Sequence, residues 1–232
     1  SDAGVWALGW AQNGSFIGTD LYFSDGTDAG THRVTTAMPA LTTFRYYLTD
    51  LAGMENFSDV AKSAWVTDDG KQAFCVPMAS VIHGFIYNKD LFDKLGLTEP
   101  KTEAEFYAVL DKIKADGTMA ALDMGTKDQW ESATMGFQNI GPNYWKGEAG
   151  RKGLIAGTEK FTDPQYVAVW DQLAKWAPYL VEGYQAQTYP DSQNLFTLGK
   201  AAIYPAGSWD ISLFNQQADF AMGAFPPPLP EG

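Results

Sequence analysis

The chain has 232 residues, 45% of them hydrophobic and 19% charged, which is typical of a globular protein and excludes disordered, collagenous and coiled-coil chains. Its net charge of −12 would repel nucleic acid and anionic lipid surfaces, so we expect neither as a partner. No apolar run reaches the roughly 18 residues of a membrane-spanning helix, so we expect no direct insertion into a membrane.

Residues 1–40 predict short strands joined by turns, because they are rich in Gly, Thr, Ser and Asp. Leu21-Tyr22-Phe23 is a strand candidate, and Asp25-Gly26 begins the turn that follows it. The segment 21–31 is similar to the DGT-x-AGT repeat of some secreted β-repeat proteins, but it occurs once in this sequence. We therefore interpret it as a hairpin.

From about residue 70 the sequence alternates between strand and helix patterns, which predicts an α/β domain. Asp68-Asp69-Gly70-Lys71 is interpreted as the solvated tip of a hairpin, and Pro226-Pro227-Pro228 as an extended exit. Strands are expected at residues 72–76, ended by Pro77, at 81–87, at 201–204, ended by Pro205, and at 220–225.

Two consecutive helices have well-marked ends. The first covers residues 89–95 and ends at Gly96, a residue that readily takes the left-handed conformation of a helix C-cap. The second begins at a capping box formed by Thr102 and Glu105. Its apolar residues recur at helical spacing and predict one buried face: Phe106, Val109, Leu110 and Ile113.

A third helix begins with Asp163 as N-cap and Pro164 at the first helical position. Its apolar stripe includes Trp170 and Trp176, which we therefore expect in the core. Two shorter helices are expected, from Asp191 as N-cap to Gly199, and after Ser208 as N-cap.

Motifs of catalysis are missing from the sequence. GxGxxG, GxxxxGK[ST], HExxH and GxSxG do not occur, and the single cysteine, Cys75, excludes an intrachain disulfide and any multi-cysteine metal site. With only His32 and His83 available, we expect no metal, no cofactor and no enzyme activity. The alternative of a glycosidase, which uses a pair of carboxyl groups, stays open, because nothing in the sequence singles out two of the 28 acidic residues.

Several short phrases occur in a fixed order along residues 48–232. They are Asp69-Gly70-Lys71 with Pro77, the run 84–97 around Tyr87-Asn88-Lys89, Pro100-x-Thr102 with Glu105-Phe106, Phe161-Thr162-Asp163-Pro164, Gly199-Lys200-Ala201-Ala202-Ile203, Gly207-Ser208-Trp209 and Phe225-Pro226-Pro227-Pro228. In this order the chain resembles bacterial extracellular solute-binding proteins of family 1, the sugar-binding proteins of ABC importers. The family's usual opening is missing from residues 1–40, and family members continue beyond residue 232, so we expect a chain that is incomplete at both ends.

The resemblance implies an α/β fold of the periplasmic-binding-protein type, with two lobes joined by a hinge and one lobe incomplete. By this analogy, residues 1–86, with 224–232 returning to them, form the partial first lobe, and residues 87–223 form the second. The chain would cross between lobes near residues 86–88 and again near 224–226.

Sugar binding needs aromatic platforms for C–H faces and planar amides or carboxylates for hydroxyl groups. Trp130 and Trp209 occupy positions where the resemblance implies stacking aromatics, and a place in the core is the alternative for each. Glu131 and Asp210 adjoin these tryptophans and are predicted to accept hydrogen bonds from hydroxyl groups.

The other candidate ligand contacts also have structural alternatives. Tyr87 and Asn88 follow the first predicted crossing, although Asn88 serves equally well as a helix cap. Asp191 and Gln193 begin a helix that faces the implied cleft, with Asp191 as an ordinary N-cap as the alternative. His83 is expected within a strand, as a hydrogen-bonded or pocket-rim histidine.

The leading hypothesis is a carrier that captures a sugar or oligosaccharide between two lobes and delivers it to the permease subunits of an ABC importer. Its location would be periplasmic or extracellular, with a lipoprotein anchor as one form. The first four residues lack the features of a signal peptide, so we expect that such a segment was removed or never existed. Two alternatives stay open: a secreted carbohydrate-active enzyme or β-repeat surface protein, and a truncated lobe without binding activity.

Overall fold

The computed structural model describes residues 5–9, 20–24, 32–33, 53–63, 65–67, 69–73, 75–77 and 80–230. The chain divides into two compact units, Ser1–Ser80 and Val81–Gly232. The lobe boundaries predicted near residues 86 and 224 stay a prediction. Among the described helices, none combines the length and the apolar character that a membrane crossing requires.

The first unit contains a three-stranded antiparallel sheet of β1 (Val5–Gly9), β2 (Asp20–Ser24) and β3 (His32–Arg33). The central strand, β2, pairs with both neighbours, which confirms the predicted strand at residues 21–23 and the hairpin that follows it. The turn predicted at Asp25-Gly26 lies outside the described residues. A short helix, α1 (Asp59–Ser63), follows later in this unit.

The predicted hairpin tip before residue 72 is confirmed. The amide of Thr67 donates to the carbonyl of Gln72 at 2.9 Å, and Gly70 has the left-handed φ of 69° that favours glycine in such a turn. The strand predicted at 72–76 is wrong, because the described residues there form only an isolated bridge between Val66 and Ala73. A strand needs a partner over several successive residues, and alternating hydrophobicity does not supply one.

The second unit is built on a four-stranded mixed sheet in the order β5-β6-β4-β7. Its strands are β4 (His83–Asn88), β5 (Ala120–Leu122), β6 (Ala201–Gly207) and β7 (Met222–Phe225). Strand β4 pairs antiparallel with β6 and β7, whereas β5 pairs parallel with β6. The described helices of this unit are α2 (Lys89–Leu95), α3 (Glu103–Asp116), α4 (Gln138–Ile140), α5 (Glu148–Ala156), α6 (Pro164–Trp176), α7 (Tyr189–Thr197) and α8 (Ile211–Gln217).

The predicted helix ends are largely confirmed. Helix α2 ends at Gly96 in the left-handed conformation, and α6 carries Pro164 in its first turn. Helix α3 begins with the predicted reciprocal capping box of Thr102 and Glu105. These features depend on residues at most four positions apart, which is why the sequence pattern predicts them.

Two predicted N-caps are wrong. Helix α7 begins two residues before Asp191, with Thr188 as N-cap, and the Asp191 carboxylate accepts from the Thr188 amide at 2.9 Å as the partner in a capping box. Ser208 does not cap α8, because its hydroxyl oxygen accepts from the amide of Ile82 at 3.2 Å instead. A short 3₁₀ helix, Ser208–Asp210, separates β6 from α8.

Strand β6 continues through Pro205, where the sequence pattern predicted its end. Proline is tolerated in a strand where its missing N–H is not used. Pairing of β6 with β5 ends at Ile203, two residues earlier, while Pro205 stays paired with Phe85 of β4. The strand therefore keeps one partner and extends to Gly207.

Two hydrophobic clusters pack against this sheet, and neighbouring residues of one strand belong to different clusters. Phe85 of β4 lies in the larger cluster with residues of α3 and α6, whereas Ile86 lies in the smaller one with residues of α7 and α8. Because successive side chains of a strand point to opposite faces, the clusters occupy the two faces of the sheet. This is the mixed α/β fold that the sequence predicted.

The two tryptophans expected in the core differ. Trp176 is buried, as predicted, but Trp170 is 48% exposed and stacks on Phe137 at 4.7 Å. Six residues correspond to about 600° of helix rotation, so Trp170 points about 120° away from Trp176, whereas Val169 points within about 20° of it. The predicted buried face of α6 therefore included one residue too many, Trp170, which lies outside it.

Candidate ligand-binding site

Several predicted site residues meet at the end of β6. Gly207, the last residue of this strand, pairs with His83, the first residue of β4, because the two strands run antiparallel. The 3₁₀ helix Ser208–Asp210 follows at once and places Trp209 and Asp210 at the same edge of the sheet.

Trp209 is 38% exposed and packs edge-to-face with His83, with 5.4 Å between the ring centroids. Its indole folds back over Gly207, where a Cβ atom would come within 2.1 Å of the ring. The glycine of the Gly207-Ser208-Trp209 phrase is thus required by close packing of the indole. Burial lowers the pKa of His83, so its imidazole is uncharged at neutral pH.

Tyr189, a residue that the sequence reasoning missed, joins the two predicted tryptophans. Its phenolic oxygen accepts a hydrogen bond from Trp209 Nε1 at 2.8 Å, and its ring packs edge-to-face against Trp130 at 4.7 Å. Trp130 is 37% exposed. The signal available in the sequence was the capping pattern from Thr188 to Asp191, which places Tyr189 in the first turn of α7.

Trp209, Tyr189 and Trp130 together form the aromatic group of this site. Asp210 lies beneath this aromatic group and is only 1% exposed. Its Oδ1 atom accepts a hydrogen bond from the hydroxyl of Tyr189 and another from Gln193 Nε2 at 2.7 Å. Burial raises the pKa of Asp210, although these two hydrogen bonds oppose the shift. The structure thus brings the predicted residues Asp210 and Gln193 into contact with each other.

Glu131 is fully buried and lies near a second buried acid, Asp123, which follows β5. Glu131 Oε1 accepts from the hydroxyl of Ser192 at 3.4 Å, and that hydroxyl accepts from the amide of Gly125 at 2.7 Å. Neither oxygen of Asp123 has a hydrogen-bond partner. Burial raises the pKa of Glu131 to about 7, and burial together with the negative charge of Glu131 raises that of Asp123 to about 8.

The remaining three predicted residues have structural contacts elsewhere. Tyr87 packs its ring on Phe92 at 4.1 Å and donates its hydroxyl to Glu99 at 2.8 Å. Asn88 caps α2 by accepting from the amide of Leu91 at 2.9 Å, and the Asp191 carboxylate is the partner of the N-cap Thr188 in the capping box of α7. The role of Tyr87, Asn88 and Asp191 in ligand binding stays a prediction.

A groove of about 320 Å³ adjoins the aromatic group. His83 and Gly207 line this groove, and both also contact the Trp209 ring. The other lining residues are mostly apolar and come from the ends of β4, β6 and β7 and from α8: Ile82, Gly84, Phe85, Ile86, Ala206, Ser208, Ile211, Ala224, Phe225 and Pro226. Within the described part of the chain, no three Asp, Glu, His or Cys side chains group together as metal ligands.

The chain is similar to several known proteins. An uncharacterized ABC transporter extracellular-binding protein of Pyrococcus horikoshii is 30% identical over 164 residues, which are 69% of this chain and 38% of that protein. A probable sugar-binding periplasmic protein of Mesorhizobium japonicum is 31% identical over 136 residues, 55% of this chain and 30% of that protein. A solved structure of a chitin oligosaccharide binding protein superimposes with a TM-score of 0.64 at 26% identity and covers 74% of this chain and 43% of that one.

The chain spans less than half the length of each of these proteins. Its periplasmic-binding-protein-like α/β fold is confirmed by the structural match. The profile of the bacterial extracellular solute-binding proteins matches residues 10–232, which is nearly the whole sequence. The family resemblance is therefore confirmed, and the chain belongs to the bacterial extracellular solute-binding protein family.

Proposed function

We propose that this protein captures a sugar or oligosaccharide, outside the cytoplasm, for delivery to the permease subunits of an ABC importer, and that it catalyses no reaction. The observation that carries the proposal is the pair of partly exposed tryptophans, Trp209 and Trp130, which both contact Tyr189. His83, which packs against Trp209, also lines an apolar groove. Family membership and the sugar-binding names of two similar proteins support the same function.

The geometry suits a carbohydrate ring. An exposed indole face packs against the C–H face of a sugar, and a ring fixed by contacts on its other side loses little freedom on binding. Trp209 is fixed in this way by Gly207 below it, His83 at its edge and Tyr189 at its nitrogen.

The groove limits how much of a ligand this unit holds by itself. Its volume of about 320 Å³ is at the lower end of the range for small-molecule sites. We therefore expect it to accommodate one end of an oligosaccharide. The segments predicted to cross between lobes are neighbours in the sheet, with Ile86 paired to Ala224, and capture between two lobes stays a prediction.

Titration of the protein with a panel of mono- and oligosaccharides that includes chitin oligosaccharides, followed by tryptophan fluorescence, tests this function. Binding is expected for at least one sugar, and Trp209→Ala and Trp130→Ala are each expected to weaken it by about fivefold or more, since truncating a central aromatic contact typically costs more than about 1 kcal/mol.

Trp170→Ala is the matched control, because Trp170 is similarly exposed but stacks on Phe137 in another part of the unit. It should leave the affinity unchanged. Loss of affinity in this control equal to that of Trp209→Ala would contradict the assigned site. Absence of binding across the panel, or turnover of a glycan, would contradict the function.

A further inference from the structure

Asp210 is adjacent to Trp209 in sequence, yet its carboxylate lies on the hidden side of the aromatic group. It is 1% exposed, and Oδ1 accepts hydrogen bonds from the Tyr189 hydroxyl and the Gln193 amide. The Tyr189 oxygen in turn accepts from Trp209 Nε1 at 2.8 Å. One continuous chain of hydrogen bonds thus runs from Gln193 through Asp210 and Tyr189 to the Trp209 indole.

The direction of each hydrogen bond in this chain follows from chemistry. An indole nitrogen can only donate, and an ionised carboxylate can only accept. The Tyr189 hydroxyl can do both, but it has a single hydrogen. Because Asp210 takes that hydrogen, a lone pair of the Tyr189 oxygen is left for the Trp209 N–H.

We propose that Asp210 is a positioning residue, which sets the orientation of the Trp209 indole through the hydroxyl of Tyr189. The consequence for sugar affinity rests on the proposed function, whereas the consequence for the indole does not. Without Asp210, the Tyr189 hydroxyl hydrogen is free to rotate toward the indole nitrogen, where it would oppose the N–H donor. Gln193 contributes by fixing the plane of the carboxylate.

A direct contact between Asp210 and the sugar is the rival role. Its Oδ2 atom is buried and has no hydrogen-bond partner in the structure. The two roles differ in what Tyr189 contributes: a positioning role needs the Tyr189 hydroxyl, whereas a direct contact through Oδ2 does not.

Three substitutions separate these roles. Asp210→Ala removes the acceptor, whereas Asp210→Asn keeps an oxygen in the Oδ1 position and nearly the same shape. Tyr189→Phe keeps the ring against Trp130 and removes only the hydroxyl. Tyr179→Phe is the matched control, because Tyr179 also donates to an aspartate, Asp111, at 2.7 Å, but contacts neither candidate tryptophan.

The first measurement uses no sugar. Near-ultraviolet circular dichroism of the ligand-free protein reports the environment of the tryptophans, and each substitution is made both in the natural sequence and in a Trp209→Phe background. Tyr189→Phe and Asp210→Ala are expected to change the indole bands in the natural background, and this change should largely disappear in the Trp209→Phe background. Equal changes in both backgrounds, or none in either, would overturn the proposal. Far-ultraviolet spectra and thermal midpoints identify any variant that fails to fold.

The second measurement uses a chitin dimer and a chitin tetramer as probes. Asp210→Ala and Tyr189→Phe are expected to weaken binding of both probes by the same factor, about tenfold. Asp210→Asn is expected to retain most of the affinity, because its amide oxygen still accepts from the Tyr189 hydroxyl, although a neutral acceptor is weaker than a charged one. If Tyr189→Phe binds normally while Asp210→Asn is as weak as Asp210→Ala, Asp210 contacts the sugar directly and the proposal is wrong.

The two measurements separate this inference from the proposed function. If the natural protein binds neither probe nor any sugar of the wider panel, the function fails, and the circular dichroism cycle still decides the role of Asp210. If sugar binding is present but the cycle shows no coupling between Asp210 and Trp209, only this inference fails.

Discussion

At the scale of single residues, the buried acids Asp123 and Glu131 are the most unusual feature of the unit. Neither has exposed surface, and neither oxygen of Asp123 has a hydrogen-bond partner. A charged carboxylate without a partner is costly in the interior, so such groups retain a proton at higher pH than in water. Their position beside α7, through the contact of Glu131 with Ser192, links them to the helix that carries Tyr189.

These shifts predict a dependence of stability on pH. The pKa of Asp123 is raised to about 8 and that of Glu131 to about 7, so the folded chain binds protons that the unfolded chain has lost. The contribution of these two acids to the free energy of unfolding should therefore be greatest below their unfolded pKa values, near about 4, and fall as the pH rises to about 8. Urea unfolding at several pH values measures this slope.

Asp123→Asn is the matched variant for this slope, because it keeps the shape of the side chain and cannot ionise. It should flatten the fall and be more stable than the natural chain above about pH 8. A slope that is unchanged in Asp123→Asn would contradict the assignment of the shift to this residue.

At the scale of secondary structure elements, α3 shows how local chemistry defines a helix. The Thr102 hydroxyl oxygen accepts from the Glu105 amide at 3.3 Å, and the Glu105 carboxylate accepts from the Thr102 amide at 3.3 Å. The buried face of α3 then contributes Phe106, Leu110 and Ile113 to the larger core cluster. The cap thus determines where this face begins.

Thr102→Ala is expected to lower the free energy of unfolding by about 1 kcal/mol, since it removes the side-chain acceptor of the first turn. Thr102→Ser keeps a hydroxyl oxygen and should lose only a small part of this amount. Denaturant titrations of the three proteins provide the measurement. An equal loss in both variants would show that the methyl group of Thr102, and not its hydrogen bond, is responsible.

The end of β6 shows the opposite case, in which an element is defined by distant partners. Pro205 lies inside the strand because β4 pairs with it, although proline usually ends a strand. Trp209 lies over Gly207 because no Cβ atom fills that space. The aromatic group therefore depends on the way two strands meet.

At the scale of the whole molecule, the described members of both hydrophobic clusters belong to the unit Val81–Gly232. A unit with its own core on both faces of a sheet has what independent folding requires. The family match extends over residues 10–232 and so covers most of the first unit and all of the second.

We expect residues 81–232, produced alone, to fold and to unfold cooperatively in urea. Coincident transitions by circular dichroism and by tryptophan fluorescence would confirm this, and a gradual transition or aggregation would contradict it. Trp176→Ala in the same fragment is the control, since loss of this buried ring should cost about 3–5 kcal/mol.

The predictions that the structure confirms concern short stretches of chain. The C-cap at Gly96, the capping box of α3 and the start of α6 at Pro164 each depend on neighbours within one helical turn. The strand at 72–76 was wrong, and the core role of Trp170 was wrong, because pairing and burial depend on partners from elsewhere in the chain.

By itself, the amino-acid sequence determined the family, the α/β class, most helix ends and the presence of Trp130 and Trp209 in polar segments. Only the tertiary structure decided that Tyr189 joins these rings and that Asp210 is buried beneath them. It also decided that His83, 124 positions before Gly207, shares the site through strand pairing. Periodicity and capping act over a few residues, whereas the site is assembled by a sheet that brings distant segments to one edge.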